Sequence, residues 1–138
     1  MHWLFYALLS AAAAAATAVL AKLGVENVPS SLATAVRTVV VVVLAWAIVL
    51  ALGEHRALAT ISRRSLLFLA LSGIGTAVSW LAYFRALQLG PASQVAPIDK
   101  LSLPLTIVFA VAILGEPLSW RLAIGVALMT AGALLTIR

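Results

Sequence analysis

The sequence contains five apolar runs of about twenty residues each, and they constrain the fold more than any other feature. They cover approximately residues 3–21, 32–52, 66–87, 95–114 and 118–137. A helix needs roughly 20 apolar residues to cross a hydrocarbon core of about 30 Å. Because lipid offers the backbone no hydrogen-bond partner, such runs form helices, and they lack the alternating pattern of barrel strands. We therefore predict an all-α integral membrane protein with five transmembrane helices.

Composition also points to a bilayer as the solvent. Hydrophobic residues make up 64% of the 138 residues and charged residues only 9%, whereas a soluble domain is roughly half apolar and about a quarter charged. The connections are short, so residues 1–138 are predicted to form a single transmembrane domain, multi-pass in the cell (inner) membrane. The first run lacks a preceding basic region and four runs follow it, which favours an uncleaved helix over a signal peptide.

The basic residues bear on orientation rather than on nucleic acid, which we do not expect as a partner because no basic face exists. With five spans, one side of the membrane holds Arg56, Arg63, Arg64 and Arg121, and the other holds Lys22, Arg37, Arg85 and Arg138. If Arg37 and Arg85 lie inside the membrane, the bias favours a cytoplasmic N-terminus. If they do not, the counts are equal and both orientations are expected. These two interpretations remain open.

Asp99 and Lys100 lie about six residues into the fourth run. An unpaired charge in hydrocarbon costs at least about 2.5 kcal/mol, so both side chains are predicted to face protein or a water-filled cavity. Neighbouring residues of a continuous helix point about 100° apart, so we expect different partners for the two: Arg85, Arg37 or a second subunit for Asp99. Asp99 is the candidate proton or cationic-substrate site. Lys100 either lines the pathway or snorkels to the interface.

Pro97 and Pro104 flank this charged pair. Proline has no N–H, so the carbonyls of Ser93 and Lys100 are expected to lose their helical donors. Many transporters build binding sites from such interrupted helices. The alternative is that Pro97 only marks an early helical turn.

Two further groups of residues are candidates. Trp80 and Tyr83 share one face of the third run and are candidate cavity-lining residues, although membrane aromatics more often pack or anchor at the interface. Ala123, Ala127 and Ala131 recur at every fourth position, a pattern that predicts close helix packing.

No enzymatic chemistry is indicated. The chain has no cysteine, and its two histidines, His2 and His55, are too far apart in sequence to suggest a metal site. No phosphate-binding loop, catalytic triad spacing or carboxylate pair is present. We predict neither an enzyme nor a cofactor.

The C-terminal half, YFRALQLGPASQVAPIDKLSLPLTIVFAVAILGEPLSWRLAIGVALMTAGALL, resembles the EamA-type repeat of the drug/metabolite transporter superfamily. The first helix with Lys22, and Arg37 early in the second helix, fit the same repeat. The Ile98–Ser102 variant looks like the short, single-repeat members. The most specific parts are Ala86–Ser93, Val95–Pro97 and Gly115–Trp120.

The resemblance implies a mechanism as well as a fold. Most relatives carry two five-helix repeats in opposite orientation, and this chain carries one. It implies a ten-helix transporter with a central cavity and alternating access, which one repeat reaches by forming a homodimer, antiparallel if both orientations are inserted. We therefore expect a secondary transporter of a small metabolite or drug-like solute. The alternatives are a non-transporting subunit of a hetero-oligomeric or lipid-flipping complex, and a passive facilitator.

Overall fold

The computed structural model describes residues 2–137, and Met1 and Arg138 lie outside the described residues. All regular secondary structure within residues 2–137 is helical, which confirms the predicted all-α class. The elements are α1 (His2–Gly24), α2 (Ser30–Ala51), a 3-10 helix (Glu54–Thr60), α3 (Arg63–Leu89), α4 (Ala92–Asp99), α5 (Ser102–Leu114) and α6 (Trp120–Leu135).

Four segments of residues 2–137 are long and apolar enough to cross a membrane. They are His2–Gly24, Ser30–Ala51, Arg63–Leu89 and Ala92–Leu114. The fifth predicted span corresponds to α6, which is apolar but has only 16 residues. At about 1.5 Å per residue α6 is shorter than the hydrocarbon core, so length alone does not make it a span.

The fourth apolar run, residues 95–114, is formed by two helices rather than one. Helix α4 contains Pro97 and ends at Asp99, and α5 begins at Ser102. This register places Pro104 in the first turn of α5, where a missing N–H costs no helical hydrogen bond. A continuous helix would instead bring the proline ring against the Lys100 carbonyl. The break therefore lies at Lys100–Leu101, ahead of Pro104, rather than at Pro97.

The segment Gly115–Trp120 ends one helix and starts the next. Gly115 has φ +69°, the left-handed conformation that ends many helices, and the Glu116 N–H donates back to the Ala110 carbonyl at 3.2 Å. Ser119 then caps α6, because its Oγ accepts from the Leu122 N–H at 3.2 Å. This most specific part of the EamA-like pattern is thus a helix stop followed directly by a helix start.

The described residues divide into two compact units, one of residues 20–88 and one of residues 2–19 with 89–137. In the first unit, the end of α1, the start of α2 and the end of α3 form a small core. Val25 and Leu87 are only 1% and 0% exposed, and Phe84 and Thr34 are also buried. By contrast, residues 63–79 of α3 are exposed along the whole stretch.

Gln88 fastens the α1–α2 loop to the end of α3. Its Nε2 donates to the Val28 carbonyl at 2.6 Å and to the Val25 carbonyl at 3.3 Å. Lys22 adds a parallel link, because its Nζ donates to the Leu87 carbonyl at 2.6 Å. A lysine at this place also stabilises the negative end of the α3 dipole.

We expect Gln88→Leu to lower the free energy of unfolding by about 1–3 kcal/mol, since two loop carbonyls beside a buried valine would lose their donor. Melting of the purified protein in detergent measures the effect. Gln94→Leu is the matched control, because no hydrogen bond of the Gln94 side chain is found within residues 2–137. Equal melting temperatures for the two variants would contradict this role.

In the second unit, α6 packs against α4 and α5. Its inner face contains the buried Ala133 and the half-buried Val126 and Thr130, which are spaced one helical turn apart. The predicted packing face is a different one. Ala123, Ala127 and Ala131 are exposed, so they make little contact with the helices of their own unit.

Candidate functional site

Asp99 and Lys100 form an ion pair at the break between α4 and α5. Lys100 Nζ lies 3.1 Å from Asp99 Oδ2. The expectation that these neighbours would not pair was wrong, because backbone directions about 100° apart do not stop a long lysine side chain from reaching a neighbouring carboxylate. Asp99 is the last residue of α4, and Lys100 belongs to the turn that follows it. The Lys100 backbone stays in the right-handed helical region there (φ −72°, ψ −4°), so the flexible lysine side chain, rather than a change of backbone direction, brings the two groups together.

The backbone of this turn is closed by hydrogen bonds. The N–H groups of Lys100 and Leu101 donate to the carbonyls of Pro97 and Ile98, and the Leu103 N–H donates to the Lys100 carbonyl, all at 3.0–3.1 Å. These are i to i+3 bonds of the kind that close 3-10 turns. The Lys100 carbonyl has no helical donor at Pro104, and the Leu103 N–H donates to it instead. The groups at the break that can bind a ligand are therefore the charged side chains of Asp99 and Lys100.

Neither side chain of the pair is buried by the chain itself. The side chain of Lys100 is 54% exposed and that of Asp99 33% exposed. The pair lies within the candidate span Ala92–Leu114, where charged groups are rarely placed against lipid. The pair can exchange partners: the carboxylate can take a proton or a cation, and the ammonium can take an anion.

A second charged group within a span is Arg37 of α2. Its Cζ lies 3.8 Å from the centre of the Trp80 ring and 5.7 Å from that of Phe84, both on α3. Arg37 as a residue is half-buried. Trp80 therefore contacts another helix of its unit through a cation–π interaction rather than only serving as an interfacial anchor.

The other sequence candidates on α3 lie near the same place. Tyr83 interacts electrostatically with Arg37, and its ring stands edge-on to that of Phe84. Arg85 is exposed and donates to Gln88 Oε1 at 3.2 Å, four residues before the end of α3. The structure thus brings Arg37, Trp80 and Tyr83 together.

Sequence reasoning missed Gln88, Lys22 and Phe84 as organising residues. Gln88 stands between Leu87 and Leu89 at the end of an apolar run, and a polar residue there is ordinarily taken as interfacial. The available signal was its amide group, which can donate two hydrogen bonds to loop carbonyls. Within residues 2–137, no cluster of three His, Asp or Glu side chains is placed to hold a metal ion.

Comparison with known proteins places the chain in a family. The family model of the EamA-like transporter family matches residues 1–138. A protein of a Sinorhizobium species described as an "Uncharacterized transporter in cobO 3'region" is 54% identical over 133 residues, which cover 96% of this chain and 94% of that protein. No solved structure matches the chain.

This match agrees with the helical structure and with the resemblance carried by residues 83–135. The predicted family is confirmed, and the apolar helices agree with a multi-pass membrane protein with a transporter role. The chain belongs to the EamA-like transporter family.

Proposed function

We propose that the protein is a secondary transporter of a small metabolite or drug-like solute, that it works by alternating access, and that two copies form the transport unit in the cell (inner) membrane. The observation that carries the proposal is the match of the transporter family over residues 1–138. The similar Sinorhizobium protein has nearly the same length and is itself named a transporter. The name of a transporter was thus given to a protein of about this size.

Two copies are proposed because the helices leave much apolar surface without a partner. Residues 63–79 of α3 have no buried or half-buried position, so this part of a membrane span contacts little of its own unit. A solute pathway needs protein walls on all sides. In the proposed dimer α6 also crosses the membrane, with the bilayer thinned locally around its 16 residues.

The ion pair at the α4–α5 break is the proposed pathway site. It combines a carboxylate, an ammonium group and an interrupted span, and such interruptions near the middle of a membrane serve many transporters as binding sites. Asp99 would take the proton or a cationic group of the solute, and Lys100 would face the pathway.

Reconstitution tests this function. Purified protein in proteoliposomes is expected to take up radiolabelled solutes from a metabolite panel when an inward proton gradient is imposed. Uptake that appears only with a second, different chain would identify a hetero-oligomeric subunit. Uptake that equilibrates but never exceeds the external concentration would identify a passive facilitator.

The exposed alanine face of α6 gives a test of assembly. Ala127→Leu is expected to shift the dimer toward monomer by at least about tenfold in dissociation constant, because a bulky side chain holds closely packed backbones apart. Single-molecule subunit counting in lipid vesicles measures the dimer fraction. Ala112→Leu, at an exposed site on α5, is the matched control. An unchanged dimer fraction for Ala127→Leu would exclude this face from the interface.

A further inference from the structure

Arg37 carries a positive charge inside a membrane span without an anion beside it. It lies seven residues after the start of α2 at Ser30, which is about 10 Å along the helix axis. Within residues 2–137 it has neither an ion pair nor a hydrogen bond to an acceptor. A charged side chain in the hydrocarbon region costs at least about 2.5 kcal/mol, and the cost is usually met by a partner.

The aromatic rings beside Arg37 do not supply that partner. A cation–π contact contributes about 0.5–1 kcal/mol at an exposed site and about 2 kcal/mol or more where it is desolvated, but a ring face offers no acceptor to the in-plane N–H groups of the guanidinium. The distance of 3.8 Å from Cζ to the Trp80 ring centre indicates a contact with the face of the ring. A ring face holds the guanidinium in position, while its N–H groups radiate in the guanidinium plane and remain able to donate.

Threonine hydroxyls next to Arg37 are already engaged with the backbone of α2. Thr34 Oγ1 donates to the Ser30 carbonyl at 2.9 Å, and Thr38 Oγ1 donates to the Thr34 carbonyl at 2.7 Å. Both hydroxyl protons are therefore hydrogen-bonded within α2. The donors that this part of the helix offers to a ligand come from the Arg37 guanidinium.

We propose that Arg37, held in position by Trp80, binds an oxyanion: a carboxylate or a phosphate group. The planar guanidinium forms two parallel hydrogen bonds with either group, and this geometry favours oxyanions over halides or neutral ligands. The substrate assignment rests on the proposed transport function: in a secondary transporter the oxyanion is carried by the solute, which makes the solute an organic acid or a phosphate ester. A phospholipid headgroup offers the same phosphate chemistry.

Fluorescence of Trp80 provides a direct test of binding. Replacing Trp3, Trp46 and Trp120, which are 74%, 46% and 69% exposed, by phenylalanine leaves Trp80 as the only tryptophan. This protein is purified in maltoside detergent, stripped of phospholipid and titrated with inorganic phosphate and with benzoate. A saturable change in emission is expected, and Arg37→Gln in the same background should raise the dissociation constant at least tenfold.

Two further variants make the result specific. Arg37→Lys keeps the charge but loses the planar guanidinium that forms two parallel hydrogen bonds. Its affinity for the anion should therefore fall between those of the parent and Arg37→Gln. If Arg37→Gln does not fold, Arg37→Lys replaces it in the test. Arg64→Gln is the matched control. Arg64 also lies near an aromatic ring, 5.8 Å from that of Phe68, but it is exposed near the start of α3, and its loss should leave the affinity unchanged.

Phospholipid content separates the two sources of the oxyanion. Phosphorus bound per protein is measured after purification in mild detergent, for the parent and for Arg37→Gln. Small-anion binding that depends on Arg37 supports a solute site. Less bound phosphorus in Arg37→Gln, without small-anion binding, supports an oxyanion site occupied by lipid. Equal phosphorus together with no Arg37-dependent binding would overturn the proposal.

Transport is measured separately, so that the two proposals can fail independently. Arg37-dependent binding without uptake of any solute would contradict the transport function and leave the oxyanion site standing. Uptake of neutral or cationic solutes without Arg37-dependent anion binding would overturn the oxyanion site and leave the transport function standing.

Discussion

Asp99→Asn is expected to reduce gradient-driven solute accumulation to the level of vesicles without protein, while the chain stays folded and dimeric. Asp99 Oδ2 lies 3.1 Å from Lys100 Nζ, so the carboxylate is the group that balances the lysine charge. A carboxylate can exchange this partner for a proton or a cationic group, and an amide cannot. The measurement is uptake into proteoliposomes under an imposed proton gradient, with dimer fraction and melting temperature recorded alongside.

The folded state should tolerate this change. The two side chains are 54% and 33% exposed, and in a water-filled pathway an ion pair of this exposure stabilises a protein by at most about 1 kcal/mol. A melting temperature within a few degrees of the parent is therefore expected. A large loss of stability would show that the pair is buried in the assembled protein and holds the α4–α5 break together.

A double variant separates a missing carboxylate from an unbalanced lysine. Asp99→Asn alone leaves the Lys100 ammonium without its partner, whereas Asp99→Asn combined with Lys100→Met removes both charges. If the carboxylate couples transport to the gradient, both variants lose accumulation. Accumulation restored by the double variant would mean that only charge balance matters. Full accumulation by Asp99→Asn at every pH tested would make the carboxylate structural and exclude it as the coupling site.

The helical class could be predicted from the sequence because it depends on local properties. Run length, hydropathy and the absence of alternation are visible in any window of about twenty residues, and a bilayer permits little else. Positions of helix ends followed for similar reasons. Gly115 and Ser119 are a common helix stop and a common cap, and both serve in these roles here.

The position of the break at Lys100–Leu101 could not be predicted from local properties. Two prolines were visible, but hydropathy alone did not show which of them interrupts the run. Pro97 is tolerated within α4, while Pro104 requires a new helix start. The ion pair of Asp99 and Lys100 depends on the conformation of the lysine side chain, which helical spacing does not specify.

Contacts between distant segments were the least predictable. Gln88 bonds to carbonyls 60 and 63 residues away, and Arg37 contacts Trp80 on another helix. Such pairs depend on how two helices are rotated against each other. The alanine face of α6 shows the same limit: spacing indicated that a small-residue face exists, but the inner face proved to be that of Val126, Thr130 and Ala133.

A second large effect is expected on membrane orientation, and the contact of Arg37 with Trp80 bears on it. Arg37 lies within a span, so it counts little toward the positive-inside bias. Arg85 lies four residues from the end of α3, close enough to the interface to count. On the proposed five-span topology the sides then hold four basic residues (Arg56, Arg63, Arg64, Arg121) and three (Lys22, Arg85, Arg138).

A bias of one charge is expected to produce both orientations in comparable amounts. Reporters fused to the C-terminus, one active only in the cytoplasm and one only outside it, should both give signals. Substitutions at exposed positions in the connecting segments and at the start of α3 should then fix the orientation. The double variant Glu54→Lys, His55→Lys raises the number of basic residues on the side of the N-terminus to six, against three on the other side. This bias holds the N-terminus in the cytoplasm. Arg63→Gln and Arg64→Gln, with Glu26→Lys and Asn27→Lys, give two against five and the opposite orientation.

These two orientation variants test the antiparallel dimer directly. Each variant alone presents all its copies in one direction, so neither should form the antiparallel unit or accumulate solute. Co-expressed, they should restore uptake to a level near that of the parent chain, because each supplies the repeat that the other lacks. The altered residues lie in the α1–α2 loop, in the 3-10 helix or in the first turn of α3. Neither variant changes Asp99 or Lys100, so both keep the side chains of the proposed pathway site. Full uptake by either variant alone, with its C-terminus on a single side of the membrane, would rule out the antiparallel arrangement and favour a parallel dimer.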